Sequence, residues 1–328
     1  MLTFIMRRIL LMIPTVIIVS VISFIVIQLP PGDFVTTYIS RLESSGEIID
    51  QEIIEAFKVR YGATQPLYVQ YFKWMGNVLR GDLGISWEWN QPVSTLILDR
   101  LPWSLLISFT ALLFVYTVGI PIGVLSATHQ YSIRDYFFTF IGFIGLAIPN
   151  FLFALVLLWI YFISTGNAAL GLFSPQFAIA PWSFAKLVDL LKHLLLPGIV
   201  IGTAGTAGLI RIMRANLLDE LRKQYVITAR AKGVKERTLL FKYPVRVAIN
   251  PIVSTIGWTL PSLVNGELLV SLVLGLPTIA PIFLSSLLMQ DMYLAGSIVF
   301  ILSMLTVIGT LISDILLAWI DPRIRGAV

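Results

Sequence analysis

Long apolar stretches separated by polar segments dominate the hydropathy pattern of the chain. A helix needs about 20 apolar residues to cross a hydrocarbon layer of about 30 Å, so these stretches predict membrane spans. We predict six spans, at Ile9–Leu29, Trp103–Thr128, Tyr136–Thr165, Leu194–Ile210, Ala248–Leu276 and Met292–Ile320. The fourth is the shortest, but Lys192 and Arg211 at its ends can extend their charged groups to the membrane surface. The pattern predicts an all-α polytopic membrane protein.

Two of the predicted spans contain residues that interrupt helices. The third contains Pro149-Asn150, and the fifth contains Pro251, Gly257, Pro261 and Gly266. Any one of these residues predicts an ordinary kink, since Gly and Pro are common in membrane helices. Four in one span favour a segment beside a translocation pathway, where freed backbone groups can face protein or water.

The distribution of Lys and Arg predicts the orientation. With the N-terminus inside, the inner segments carry fifteen of the 23 basic residues, so both termini are predicted to be cytoplasmic. Arg7-Arg8 followed by an apolar run resembles a signal peptide. The run Ile9–Leu29 is longer than a signal-peptide core and no small-x-small cleavage site follows, so we predict a retained first helix.

The segment between the first two spans is predicted to form a small helical extracytoplasmic domain. Apolar residues recur at helical spacing in two runs: Ile49, Ile53, Phe57 and Tyr61 before Gly62, then Leu67, Tyr71, Met75, Val78 and Leu79 between Pro66 and Gly81. We expect these stripes to pack against each other and against the membrane helices. The predicted organisation is a first helix (1–30), this domain (31–102), a five-helix core (103–320) with a cytoplasmic loop (211–247), and a tail (321–328).

Composition excludes several kinds of chemistry. The mean hydropathy of +0.88 places the chain among membrane proteins, and a mild, uneven net charge of +5 argues against nucleic-acid binding. With no Cys and only two His, neither thiolate chemistry nor a His/Cys metal site is expected. No pattern of nucleophile and base lies within the spans, so no catalytic residues are predicted. The segment Gly202–Gly208 lacks the Lys of a phosphate-binding loop, and its Gly202/Thr206 and Ala204/Gly208 pairs predict a close helix-packing face.

The segment Arg211–Arg246 holds ten of the 23 basic residues. An apolar face is predicted there from Leu217, Leu218, Leu221, Tyr225 and Ala229, with Lys223 and Arg230 on another face. Gly233 is predicted to end the helix, and Leu239-Leu240-Phe241 to form a second apolar anchor. From chemistry alone the loop fits a charge cluster that binds anionic lipid, an amphipathic helix on the bilayer, or a docking helix for a cytoplasmic protein.

The sequence from Tyr225 to Gly233, Tyr-Val-x-Thr-Ala-Arg-Ala-Lys-Gly, resembles the coupling motif of ABC importer permeases of the dipeptide/oligopeptide/nickel family. The resemblance covers the whole chain. It includes Arg7-Arg8-Ile9-Leu10, Leu29–Asp33, Tyr61-Gly62 with Gln65-Pro66-Leu67, Gly81–Gly84, Arg100-Leu101-Pro102, Gly119–Gly123 and Asp321–Arg325. The order and spacing of these segments carry more weight than any one of them.

This resemblance implies a non-catalytic permease subunit in a bacterial or archaeal cytoplasmic membrane. A second homologous permease, one or two ATP-binding subunits that bind ATP and Mg, and an extracytoplasmic substrate-binding protein would be its partners. The chain itself would carry no cofactor, and substrate would cross by alternating access between the two permeases. The residues implied in coupling to the ATPase are Tyr225, Thr228, Ala229, Arg230, Ala231, Lys232, Gly233, Leu240 and Phe241.

The sequence departs from the family pattern at three places. Ile227 stands where the coupling motif usually has an acid, Leu276–Ala280 replaces a Leu-Pro-Gly-x-Gly pattern, and the acid often near Ser271 is instead Glu267. A carboxylate at mid-membrane costs about 2.5–3.5 kcal/mol on insertion scales, so Glu267 is a candidate pathway residue that meets a cationic group. A helix–helix hydrogen bond of its protonated form is an equal alternative. The predicted pathway residues are Asn150, Asn265, Glu267 and Ser271.

Peptides are the substrate class that the resemblance favours, with nickel chelates and oligosaccharides as alternatives. An ion-coupled secondary transporter is the rival class, and it would need a relay of buried acids or His. The spans offer only Glu267 and Asp314, with His129 and His193 at span ends. A membrane enzyme and a non-transporting assembly factor are further alternatives, and the interrupted fifth span argues against the latter.

Overall fold

The computed structural model describes residues 2–28, 65–167, 170–254, 256, 259 and 267–320. The longer helices are α1 (Leu2–Gln28), α2 (Leu67–Val78), α3 (Val93–Thr128), α4 (Ile133–Ala147), α5 (Asn150–Thr165), α7 (Phe184–Leu221), α13 (Ile279–Leu288) and α14 (Met292–Ile320). The shorter ones are α6 (Pro175–Ala178), α8 (Gln224–Ala231), α9 (Glu236–Lys242), α10 (Pro244–Ala248), α11 (Asn250–Val253) and α12 (Leu268–Leu274). The strands β1 (Ile85–Ser86) and β2 (Gln91–Pro92) form an antiparallel pair, a small exception to the all-α prediction.

Four of the predicted spans are single helices long and apolar enough to cross a membrane: α1, α3, α7 and α14. Three of them are longer than predicted, and α1 begins at Leu2 rather than at Ile9. Helix α3 begins at Val93 rather than at Trp103, and α7 runs for 38 residues, well beyond Leu194–Ile210. Charged residues near the ends of an apolar run mark where the lipid-facing part of the sequence ends. They do not end the helix itself when their charges have partners or reach water.

The third predicted span is bent. Helices α4 and α5 meet at an angle of 105° around Pro149. Pro149 is extended and has no backbone N–H to donate, so α4 ends before it. Helix α5 begins directly after it, at Asn150. The interruption predicted at Pro149-Asn150 is confirmed, and the bend is far larger than an ordinary kink.

The fifth predicted span, Ala248–Leu276, lies partly outside the described residues, including Gly257, Pro261, Asn265 and Gly266. Its described parts are short helices rather than one continuous helix, namely the end of α10, then α11 and α12. Helix α12 ends at Leu274, and Gly275 follows it with a left-handed φ of 61°. If each bent pair is one span, the described residues contain up to six spans.

The described residues divide into two compact units, the first within Trp103–Pro277 and the flanking chain ends, the second within Arg7–Pro102 and Thr278–Val307. In the first unit, α7 packs closely on α3 through glycines. A Cβ added at Gly198 or Gly202 would lie 2.9 Å from Thr110 or 2.8 Å from Phe114. The packing face predicted around Gly202 is therefore confirmed, whereas Gly208 has no atom within 4 Å of such a Cβ and was wrongly included.

In the second unit, α1 packs against α2 and α14. Trp74 of α2 is buried between Phe24 and Phe300, with ring centroids 5.8 Å from each. Gly296 of α14 fits against α1 so tightly that an added Cβ would lie 2.3 Å from Ile27. The stripe predicted on α2 is only partly buried, because Leu67 and Leu79 are 62% and 81% exposed. The residue that α2 buries is Trp74, which the predicted stripe did not include. The companion stripe, Ile49–Tyr61, lies outside the described residues.

Candidate functional site

The basic loop folds into two short helices, α8 and α9, after the long helix α7. Helix α7 ends at Leu221, and Arg222 and Lys223 turn the chain before α8 begins at Gln224. The prediction of one continuous apolar face from Leu217 to Ala229 is thus wrong beyond Leu221, because a new helix with a different buried side begins there. The residue that anchors α8 is Val226, whose side chain is fully buried.

Gly233 ends α8 as predicted. Its φ of +77° is left-handed, a conformation that glycine adopts without the steric cost that a Cβ brings. The Gly233 N–H donates to the Arg230 carbonyl at 3.0 Å, and the Val234 N–H donates to the Ala229 carbonyl at 3.3 Å. These two bonds satisfy carbonyls that the helix end leaves open, so the end of α8 is sharply defined.

The exposed side of α8 and α9 includes several apolar residues. Tyr225 and Ile227 on α8 are 40% and 47% exposed, and Phe241 on α9 is 57% exposed. Thr228 and Ala231 are also exposed, and Ala229 is half-buried. The anchor predicted at Leu239-Leu240-Phe241 is confirmed for Leu239, which is fully buried, and for Leu240, which is half-buried against the core. Phe241 adds to the exposed surface instead. We call the exposed faces of α8 and α9 the loop surface.

Charged groups around the loop surface fall into two sets. Arg230 donates from Nε and a terminal guanidinium nitrogen to both carboxylate oxygens of Glu236. These bonds lower the pKa of Glu236 and raise that of Arg230. In contrast, the side chains of Lys232, Lys235 and Arg237 make no hydrogen bond or ion pair with any residue that the structure describes. The loop surface therefore combines apolar contact area with unneutralised positive charge.

Tyr225 is held in place by its own loop. Its hydroxyl donates to a carboxylate oxygen of Glu220, near the end of α7. Partial burial, together with this bond and the negative charge of Glu220, raises the pKa of Tyr225. The ring is thus oriented relative to α7 and remains available on the loop surface.

The predicted pathway residues are placed differently from one another. Glu267 and Ser271 are both fully buried within the first unit, one helical turn apart at the start of α12. Asn150 is half-buried at the first position of α5. Asn265 lies outside the described residues. The structure therefore brings Glu267 and Ser271 together but surrounds both with protein, and a pathway role for the four stays a prediction.

A paired Asp135 and Arg214 was missed from the sequence. Arg214 of α7 donates to both carboxylate oxygens of Asp135 on α4, at 3.0 and 2.8 Å, and Asp135 is 3% exposed. Ser132 caps α4 by accepting from the Asp135 N–H. The spacing Ser132-x-x-Asp135 is a signature of a helix start, so the beginning of α4 was detectable from the sequence. The pairing of Asp135 with Arg214, 79 residues away, was not detectable from the sequence.

A second polar cluster, in the second unit, was also missed. Asp291 is fully buried before α14; it accepts from the hydroxyl of Ser86 and, at 3.2 Å, from the N–H of Leu294. Glu88 accepts from Ser285 at 2.6 Å. Burial raises the pKa of Asp291, and the nearby negative charge of Glu88 adds to this effect. The hydrogen bonds that Asp291 accepts oppose it only in part. The cluster fastens the β1–β2 hairpin to the ends of α13 and α14.

Metal-ligating side chains do not gather in sets of three or more anywhere in the described ranges. The loop surface presents exposed apolar residues together with positive charge. Together with the long apolar helices, it defines a multi-pass α-helical membrane protein that presents a short, glycine-ended helix on a basic loop.

The chain belongs to the family of binding-protein-dependent transport system inner membrane components. The family model matches residues 119–326, and a model of the N-terminal part of such membrane components matches residues 1–109. The resemblance to ABC importer permeases is therefore confirmed, and the protein is a multi-pass inner-membrane permease component.

Relatives of known name cover the chain from end to end. It is 38% identical to the oligopeptide transport system permease protein AppB of Bacillus subtilis, over 99% of this chain and 100% of the relative. It is 30% identical to the dipeptide transport system permease protein DppB of Alkalihalophilus pseudofirmus and to the oligopeptide transport system permease protein OppB of Haemophilus influenzae. Each of these two alignments covers 99% of this chain and 100% of the relative.

Proposed function

We propose that this chain is one of two permease subunits in an ATP-driven importer of peptides. Substrate would cross by alternating access at the interface with a second, homologous permease, after delivery by an extracytoplasmic binding protein. Both termini and the basic loop would be cytoplasmic, in keeping with the excess of Lys and Arg in the segments assigned to that side. ATP and Mg would be bound by one or two partner subunits.

The observation that carries this proposal is the construction of the loop surface. A helix of eight residues is fixed on one side by the buried Val226 and ended sharply at Gly233, so it can move as a rigid body. Its other side presents Tyr225 and Ile227 to solvent. A loop that served only to carry positive charge would need neither an anchor nor a defined end. We infer that ATP-driven closure of the partner subunits moves this helix.

Peptide transport is proposed because three relatives that align over nearly the whole chain are named as oligopeptide or dipeptide permeases. Glu267 offers a carboxyl group that would meet a peptide amine if the interface with the second permease opens α12 to the pathway. Nickel chelates and oligosaccharides remain the competing cargoes, to be separated by transport measurements on the complete transporter.

The proposal is tested by Ala231→Glu on the loop surface, with Ala215→Glu as the matched control. Both alanines are exposed on helices, but Ala215 lies on α7 outside the loop surface. We expect Ala231→Glu to lose co-purification of the ATP-binding subunit and ATP-dependent peptide uptake into proteoliposomes. Ala215→Glu should retain both.

Two outcomes would contradict the proposal. If Ala231→Glu leaves assembly and uptake unchanged, α8 is not the contact with the ATPase. If uptake by wild type follows an ion gradient and proceeds without ATP, the chain is a secondary transporter. Competition by di- and oligopeptides, nickel chelates and oligosaccharides in the same assay identifies the cargo.

A further inference from the structure

A groove runs between α4 and α7 in the first unit, at the side of the Asp135–Arg214 pair. It has a volume of about 290 Å³. Its polar end is formed by Tyr131, Tyr136 and Arg211, and its apolar part by residues including Thr139, Phe143 and Leu146. Neither end belongs to the loop surface.

The groove has the length of one leaflet. Asp135 and Leu146 both line it and lie eleven positions apart on α4, which corresponds to about 16 Å at 1.5 Å per residue. The hydrocarbon depth of one leaflet is about 15 Å, half of a core of about 30 Å. Phe143 and Leu146 are 58% and 46% exposed, so the apolar part is open to the side. A single acyl chain lying along α4 fits these dimensions.

The charges at the polar end favour an anion. Asp135 is the one carboxylate among the residues that line the groove, and its negative charge is neutralised by two hydrogen bonds from Arg214. Arg211 is exposed, and its guanidinium makes no hydrogen bond or ion pair within the described ranges. It follows that the end nearest the basic loop carries one uncompensated positive charge beside two tyrosine rings. Basic pockets between membrane helices on the cytoplasmic side are sites where anionic lipid head groups bind.

We propose that this groove binds one anionic phospholipid from the leaflet that faces the basic loop. The phosphate would meet Arg211, and one acyl chain would lie over Thr139, Phe143 and Leu146. In the orientation proposed above, that leaflet is the cytoplasmic one. The lipid would fill the opening between α4 and α7 and support the Asp135–Arg214 pair from outside.

The test is native mass spectrometry of the complete transporter released from nanodiscs of phosphatidylglycerol and phosphatidylcholine in equal amounts. Wild type should retain phosphatidylglycerol in preference to phosphatidylcholine. Arg211→Gln should lower the occupancy constant for phosphatidylglycerol about five-fold, the effect of one basic residue near an anionic surface. Arg222→Gln is the matched control, since Arg222 is exposed just past the end of α7 and does not line the groove.

A second pair of variants tests the acyl chain. Thr139→Phe fills the apolar part without changing charge, and should lower retention of either lipid. Thr117→Phe makes the same change at an exposed position of α3 away from the groove, and should not. Retention of the ATP-binding subunit shows that each variant still assembles. A lipid result that fails while this subunit is retained counts against the groove proposal alone, and loss of the subunit from wild type counts against the proposed function.

The proposal is overturned if phosphatidylcholine is retained as well as phosphatidylglycerol, because the lipid is then general annular lipid. It is equally overturned if Arg211→Gln and Arg222→Gln behave alike. Arg211 is exposed, so its replacement should not prevent folding, and the charge arm gives an answer even if Thr139→Phe does not assemble.

Discussion

Two Arg–carboxylate pairs in this protein have the same chemistry and opposite surroundings. Asp135 and Arg214 have side chains that are 4% and 27% exposed, and they join α4 to α7. Arg230 and Glu236 are 51% and 66% exposed, and they join α8 to α9 within one loop. Removing one member of a buried pair leaves a charge without compensation, whereas water replaces the lost partner of an exposed one. The first pair therefore maintains the fold, and the second is free to exchange its partner when another protein arrives.

Breaking the buried pair should have the largest effect. Asp135→Asn leaves Arg214 without its carboxylate and should lower the free energy of unfolding by about 2–4 kcal/mol, somewhat below the figure for a fully buried pair because Arg214 is partly exposed. Thermal unfolding of the detergent-solubilised transporter measures it. The double variant Asp135→Asn/Arg214→Gln should recover part of the loss. A double variant as unstable as the sum of the two single ones would show that the groups are not coupled.

Removing the anchor of the loop surface should have the next largest effect. Val226→Ala deletes two buried methyl groups and should destabilise α8 by about 1.5–2.5 kcal/mol. We expect faster amide hydrogen exchange across Gln224–Ala231 and weaker coupling of ATP hydrolysis to uptake. Ile227→Ala, on the exposed side of the same helix, is the control and should change exchange little. Equal effects of the two variants would mean that α8 is not anchored through Val226.

Replacing the glycine that ends α8 should have a smaller effect. Gly233→Ala forces a Cβ into a left-handed backbone at a cost of about 1 kcal/mol, and no neighbouring atom lies within 4 Å to add a clash. Gly233→Asn should cost less, because Asn tolerates this conformation better. Hydrogen exchange at the last turn of α8 is the measurement. An Asn variant less stable than the Ala variant would show that space, rather than φ, limits this position.

The exposed pair should matter least. Glu236→Gln is expected to change the stability of the isolated protein only slightly, because both side chains are largely in water. The pKa of Glu236 is lowered in the folded state, so the contribution of the pair is present above the ordinary value of 4.5 and is lost as the pH falls through the lowered pKa. Hydrogen exchange of α9 in wild type and variant should therefore differ at pH 7 and converge in acid. A difference that grows in acid would contradict this assignment.

The sequence predicted what depends on local pattern. Apolar runs located the membrane helices, and the position of Gly233 after an alanine-rich segment located the end of α8. The Leu217–Ala229 stripe failed because a two-residue turn after Leu221 resets the helical phase, which then buries Val226 instead of Tyr225. The Asp135–Arg214 pair and the Asp291 cluster could not be predicted, because each joins residues 79 or more positions apart whose approach depends on how helices pack.

The two long helices α1 and α7 differ in a way that bears on biosynthesis. The most apolar window of α1 has a mean hydropathy of 2.9 and is 17% buried, whereas that of α7 has 1.6 and is 56% buried. Helix α1 can enter lipid alone as it leaves the ribosome. Helix α7 carries Arg214, whose carboxylate partner lies on α4, and its glycines pack closely on α3. Since α3 and α4 precede α7 in the chain, the nascent protein presents its most polar long helix to the insertion machinery only after the surfaces that receive it have been made.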